Sequence, residues 1–258
     1  MSQRNDVSAP QPLPPFGYWE YYQELDYLNP TSPETLLDIG RTCGLNSSSR
    51  VLDVGSGKGT VAILWAKEFG CRIVGVDDLP RMVIESRRRA AEAGLQDLTV
   101  FRDMDASDID TQFREPFDLV CSFGSMFIWG YQEGLQRLTR LVSPGGCLAF
   151  SDLFFSDQKI DPDFLRRAGY ISDEYPTILQ MRDHLNMLGW ETVKTWEATA
   201  SEWRYYLDGT TRALTWYNSL HPGIINPFVE SEKEWVECIR ETGNKWVRFI
   251  HIVAKERR

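Results

Sequence analysis

Basic residues, clustered cysteines and long apolar runs are what this chain has little of. Its 258 residues carry 28 Lys and Arg against 37 Asp and Glu, a net charge of −9. Such a balance opposes long-range attraction to phosphate backbones and anionic lipid, so neither nucleic acid nor a membrane surface is an expected partner. Cys43, Cys71, Cys121, Cys147 and Cys238 are odd in number and never form a CxxC pair. Neither a disulfide framework nor a metal site is therefore expected, and the thiols read as reduced. No run of about 18 apolar residues occurs, and the opening stretch "MSQRNDVSAPQPLPP" has no apolar signal core, which points to a cytoplasmic protein without a membrane span. What is present is 42% hydrophobic residues, enough for a real core, together with nine Trp and ten Tyr.

Residues 1–15 hold Pro10, Pro12, Pro14 and Pro15 among small polar residues and read as a flexible tail. A single domain is expected over 16–258, led by one or two helices in 16–49 that Pro30 and Pro33 interrupt. From Arg50 strand and helix alternate. "RVLDVG", "CRIVGVD", "LTVFR", "FDLVCSF" and "GCLAFSD" are short apolar strands, and "TVAILWAKEFG", "PRMVIESRRRAAEAG" and "YQEGLQRLTRLV" are helices between them. Gly70 closes the first helix and Pro80 sits in the first turn of the second. Alternation of this kind means an α/β fold, a parallel sheet covered by helices on both faces. After Asp152 the rhythm changes to a helix, "YPTILQMRDHLNMLG", a strand, "WETVKTWEA", and a helical insertion over 200–243 broken at "HPGIINP". The final "KWVRFIHIVAKE" alternates like a strand that joins the sheet antiparallel, at or near its edge.

The stretch "VLDVGSGKGT" sets Asp53, Gly55, Gly57 and Gly59 in the pattern DxGxGxG between a strand and a helix. Glycine there permits positive φ and lets a ligand approach where a Cβ would collide. A triphosphate loop would need GxxxxGK before Ser or Thr, and a dinucleotide turn would need glycine where Thr60 stands. Three alternating glycines weaken a turn that has no ligand to accommodate.

The stretch resembles motif I of the class I S-adenosylmethionine-dependent methyltransferases. Further segments resemble the same family: "GVDDLPRM" its second-strand acid, "FRDMDASDI" its adenine loop, "FDLVCSFGSMFIW" its fourth strand and "LVSPGGCLAFSD" its turn into the fifth, so that 50–152 is the cofactor-binding core. The resemblance implies a seven-stranded Rossmann-like sheet with a C-terminal antiparallel strand and an N-terminal helical lid. It implies S-adenosylmethionine as cofactor, with the glycine turn and Ser56 under the methionine part and Asp53 near its ammonium. Asp77 would accept the ribose hydroxyls, with Asp78 beside it capping the next helix because Leu79 replaces the usual polar residue. Asp105 and Ala106 would flank adenine, and Ser122 and Phe123 would stand at the mouth of the turn.

Ligands in open α/β sheets bind at the carboxyl ends of the strands, which directs Ser125, Met126, Trp129, Asp152, Leu153 and Phe154 to the methyl acceptor. Asp152 is the candidate acid, base or anchor for a cationic acceptor, and equally a loop cap. Tyr18, Trp19, Tyr21 and Tyr22 are candidates for a lid facing substrate, although packing explains aromatics at that spacing as well. Trp203, Tyr206 and Trp216 would suit a cation-binding box, or helix packing. His221, before Pro222 at a helix break, is the histidine with a plausible pocket location; His184 and His251 read as structural. The expected function is methyl transfer by in-line displacement to an N, O, S or C atom of a small-molecule acceptor, as in the group that includes quinone-biosynthesis and sterol-type methylators. The alternative is a non-catalytic module that binds the cofactor.

Overall fold

Seven strands make one sheet in the order β3-β2-β1-β4-β5-β7-β6. They are β1 (Arg50–Val54), β2 (Arg72–Asp77), β3 (Thr99–Asp103), β4 (Phe117–Phe123), β5 (Val142–Phe155), β6 (Trp190–Glu197) and β7 (Val247–Glu256). The computed structural model describes residues 15–171 and 175–257, so the proline-rich lead-in falls outside the described residues except for Pro15. β1 to β5 pair in parallel, and β7 runs antiparallel to both β5 and β6. The central strands read as continuous apolar runs because both their faces are covered: Val51, Leu52 and Val54 in β1 and Leu119 and Val120 in β4 are all 0% exposed.

Helices α2 (Pro33–Thr42), α3 (Thr60–Phe69) and α4 (Pro80–Glu92) bury Leu36, Ile39, Trp65 and Val83 on one face of the sheet. Helices α5 (Ile109–Gln112), α6 (Tyr131–Thr139) and α8 (Ile178–Met187) bury Ile109, Leu135, Leu138 and Leu185 on the other. A third cluster gathers α1 (Tyr18–Tyr22), α7 (Pro162–Ala168), α9 (Ala200–Leu220) and α10 (Pro227–Thr242) around Phe155, Val247 and Phe249. Those helices roof the end of the sheet where β1 and β4 part in opposite chain directions, the crevice in which open α/β sheets take ligands. Among the described residues no helix is long and apolar enough to cross a membrane.

The structure departs from the sequence reading in four places. β5 runs on to Phe155 because β7 pairs with it as far as Phe155↔Val247, so Asp152 lies within a ladder and not at a strand end. α7 was not anticipated; Asp161 caps it by accepting the Asp163 N–H at 2.9 Å, and Gly169 ends it at φ 72°. α1 has only five residues, and 23–32 is irregular. Asp78 does not cap α4: the cap position is Leu79, whose N–H donates to Asp77 Oδ1 at 3.1 Å.

Candidate active site

The turn after β1 is left-handed at all three glycines, with φ 73° at Gly55, 50° at Gly57 and 73° at Gly59. Side chains of the protein crowd it as closely as a ligand would. A Cβ on Gly55 would stand 2.6 Å from Ser125 Cβ, one on Gly57 2.6 Å from Leu28 Cδ1, and one on Gly59 2.6 Å from Phe101 Cζ. Gly59 begins α3 and faces Phe101 and Ser86, so it serves packing and not the cavity.

A cavity of about 260 Å³ lies over this turn. It brings together Gly55, Gly57, Asp77, Asp78, Asp105, Ala106, Phe123 and Ser125, and Tyr18 and Tyr22 close it from above. Asp77 Oδ2 accepts the Gly57 N–H at 2.8 Å while Oδ1 holds Leu79, so the carboxylate is fixed before any ligand arrives. Burial raises its pKa above the ordinary carboxylate value, and the two backbone donors oppose that rise. Each oxygen keeps acceptor capacity for a ligand hydroxyl. Asp105 is exposed at the rim and accepts the Ser107 N–H at 2.7 Å, which holds its carboxyl below the usual range.

A second, smaller compartment of about 40 Å³ adjoins the first through Gly55, Leu28 and Phe123 and is lined by Asp53 and Ser56, with Asn29 and Thr31 from the segment after α1. Asp53 Oδ1 accepts the Cys121 thiol at 3.5 Å, while Oδ2 has no partner among the described residues. Burial pushes the Asp53 carboxyl up to about 7, the Cys121 bond opposes this, and the neighbouring Asp77 charge adds to it. Ser56 Oγ, Asn29 Oδ1 and Thr31 Oγ1 are also buried and, among the described residues, unpaired. Four orphaned polar atoms around one small space are what a charged amino-acid tail would satisfy. Ser122 lines neither compartment; it is 0% exposed beneath them, in the sheet.

Lys58, inside the glycine motif, was missed by sequence reading. Its Nζ donates to the carbonyls of Tyr22 at 2.8 Å, Gln23 at 2.9 Å and Leu25 at 3.0 Å, so all three of its donors are spent on the end of α1. A phosphate would find no free ammonium here. Burial lowers the Lys58 pKa to about 8. Thr60 Oγ1 donates to the Asp26 carbonyl at 2.7 Å and Asn29 Nδ2 to that of Phe123 at 3.2 Å, fastening the same segment across the turn.

Beyond Tyr18, Tyr22, Leu28, Gly124 and Phe127 the space continues into a cavity of about 530 Å³. Asp152 and Leu153 of β5 form part of its wall, Trp203 and Tyr206 come from α9, and Phe228, Ser231, Glu232 and Trp235 come from α10. Asp152 Oδ1 accepts the Leu153 N–H at 2.8 Å, and burial pushes its carboxyl up to about 7. Burial likewise raises Glu232. The α10 residues were missed, although their spacing of i, i+3, i+4 and i+7 marks one helical stripe in which an acid sits among aromatics.

Several expected acceptor residues are elsewhere. Trp129 faces a separate recess with Asp110, Tyr131 and Arg137, because the short helical turn Met126–Ile128 carries it past the crevice. His221 lies at the end of α9 against Tyr217, ring centroids 4.7 Å apart, outside both cavities, which removes it from the candidate chemistry. Trp216 is 41% exposed on the outer side of α9 and is no part of an aromatic box. Phe154 is a core residue at 0% exposure.

Residues 51–146 match a family described as a methyltransferase domain. The uncharacterised protein YjhP of Escherichia coli is 24% identical over 180 residues, 69% of this chain and 72% of that protein. The malonyl-[acyl-carrier protein] O-methyltransferase of Enterobacter lignolyticus is 33% identical over 129 residues, 50% of this chain and 47% of its own length, so only about half of that relative is spanned. A solved structure, an S-adenosylmethionine-dependent methyltransferase from Geobacter sulfurreducens in complex with S-adenosylhomocysteine, superimposes with a TM-score of 0.82 at 19% identity, over 93% of this chain and 97% of that one. Sheet order, glycine turn and matched segment agree: the chain has the seven-stranded Rossmann-like methyltransferase fold, and its residues 51–146 are similar to the methyltransferase-domain family.

Proposed function

We propose that this protein transfers a methyl group from S-adenosylmethionine to a small molecule held in the larger cavity. The observation that carries the reading is the continuity of the two cavities through Tyr18, Tyr22 and Phe127, one side lined by Asp77, Asp78 and Asp105 and the other largely aromatic. When bound, the cofactor supplies an electrophilic methyl on a sulfonium. Gly55, Ser56 and Gly57 take its methionine part, Asp53 its ammonium, Asp77 its ribose hydroxyls, and Asp105 with Ala106 its adenine. The chain's remaining task is to position the acceptor and exclude water, which the aromatic walls perform. The size of the outer cavity suits a metabolite and not a polymer.

Calorimetry with S-adenosylhomocysteine, followed by a labelled-methyl assay against a metabolite extract, tests the reading. Saturable binding together with a labelled small product is expected. No binding at millimolar supply would remove the cofactor assignment, and binding without any product would leave a non-catalytic module.

A further inference from the structure

The outer cavity is acidic, and hydrogen bonds alone offset its charge: the Leu153 N–H at Asp152 and the Tyr21 hydroxyl at Glu232. Asp152 on β5 and Glu232 on α10 both line it, and among the described residues neither forms an ion pair. No Lys, Arg or His is among its described lining residues. Two desolvated carboxylates in an aromatic chamber are costly unless a cation joins them. The chamber walls supply the other half of a cation site: Tyr18 to Tyr22, Tyr22 to Tyr206 and Tyr206 to Trp235 follow one another at centroid separations of 6.0, 6.5 and 6.2 Å. Ring faces attract an ammonium and repel an anion.

From this we propose that the methyl acceptor is an organic amine that enters as a cation and leaves N-methylated. The inference rests on S-adenosylmethionine being the methyl source. Glu232 holds the positive charge at the α10 wall, and Asp152 takes the proton that the amine must lose before its nitrogen is nucleophilic. In the transfer the nitrogen lone pair forms the N–C bond, the C–S bond breaks with its electron pair left on sulfur, and the nitrogen's proton resides on Asp152 until solvent removes it. The affinity of Asp152 for protons near neutrality, a result of its burial, suits that task. A phenol or alcohol acceptor would use Asp152 equally well but would leave Glu232 with only the Tyr21 hydroxyl against its charge. An acidic acceptor would be repelled by both. The Trp203 indole N–H, buried in the same wall without a partner among the described residues, calls for a neutral oxygen elsewhere on the amine.

The test uses the full chain saturated with S-adenosylhomocysteine, and reads binding by titration calorimetry. The probes are benzyltrimethylammonium, benzyl alcohol and phenylacetate. The cation is expected to bind at least roughly tenfold more tightly than the alcohol, and phenylacetate least of the three. Glu232→Gln and Asp152→Asn should each weaken the cation about fivefold or more while leaving the alcohol and S-adenosylhomocysteine affinities unchanged, the latter showing that the variants are folded. Equal binding of cation and alcohol, tighter binding of phenylacetate, or indifference to Glu232→Gln would overturn the amine assignment. Failure of S-adenosylhomocysteine itself to bind would instead strike the methyl-donor reading, so the two failures are distinguishable.

Discussion

Two aspartates twenty-four residues apart in sequence show how one side chain serves two purposes in this site. Asp77 is held by the Gly57 and Leu79 N–H groups and is thus oriented in advance, whereas Asp53 is sealed in with one oxygen unmatched. Asp77→Asn keeps the shape but converts one acceptor oxygen to a donor and removes the charge. Its expected cost is about 1.5–3 kcal/mol of cofactor binding, roughly a 10–100-fold loss in calorimetry with S-adenosylhomocysteine, while the melting temperature stays within a few degrees. Asp53 makes a different prediction. Its carboxyl sits at about 7 in the free protein, so an ammonium arriving beside it lowers that value and expels a proton. At pH 7 about half a proton per site should be released, visible as a dependence of binding enthalpy on the ionisation enthalpy of the buffer. Enthalpies that agree between phosphate and Tris would show that the ammonium is not placed at Asp53.

At the scale of elements, the irregular segment after α1 is tied down by side chains from three directions. Lys58 holds its Gln23 and Leu25 carbonyls together with that of Tyr22 at the end of α1, Thr60 holds the Asp26 carbonyl, and Tyr205 Oη accepts the Asp26 N–H at 2.9 Å. Lys58→Met retains the length of the stem but leaves three carbonyls unmatched. A loss of about 2–3 kcal/mol is expected, roughly 5–10 °C in melting temperature for a chain of this size, with faster amide exchange over 20–31 and weaker S-adenosylhomocysteine binding. Protection of that segment equal to wild type would show that the lysine does not latch it. α9 bears on the same segment from the other side: Gly209 gives Leu25 its space, and a Cβ there would lie 2.7 Å from Leu25 Cγ. Gly209→Ala would gain about 1 kcal/mol of helix propensity and lose more through overpacking, so thermal melts should show net destabilisation by about 1–2 kcal/mol.

For the whole molecule, the parts that were legible in the sequence are those whose cause is local. The glycine pattern after Asp53 and the apolar runs of β1 and β4 each carry their own conformational reason within a few residues, whereas β7, read as alternating, is buried without a break from Phe249 to Ala254 between β5 and β6. The roof over the site was legible as helices but not as a chamber, because its meaning lies in contacts such as Tyr22 with Tyr206, 184 residues apart. The glycine spacing excluded a triphosphate loop but gave Lys58 no role, because its three carbonyl partners lie 33 to 36 residues away, and the helix break at His221 could not tell that its ring turns onto Tyr217. Long-range closure also sets the final prediction, the pH dependence of stability. Asp53 and Asp152 are raised to about 7 in the folded chain, whereas unfolded aspartates titrate near the ordinary value of 3.8. Over that interval the folded state binds more protons, so their contribution is full at low pH and fades as pH rises through about 7. His251, 0% exposed between Phe123 and Phe249, is depressed by burial from 6.5 to about 4. There the unfolded state binds the extra proton, so stability is lost as pH falls from 6.5 towards 4. Between pH 7.5 and 6.5 the aspartates outweigh His251, which offsets about a quarter of their effect, and the free protein should become more stable on mild acidification, by roughly 2–4 °C in melting temperature, before His251 opposes the rise more strongly. Asp152→Asn should remove roughly two thirds of that gain, and His251→Phe, if it folds, should enlarge it and extend it to lower pH. A wild-type melting temperature that is flat or falling from pH 7.5 to 6.5 would mean that water reaches these carboxylates, and with them the floor of both cavities.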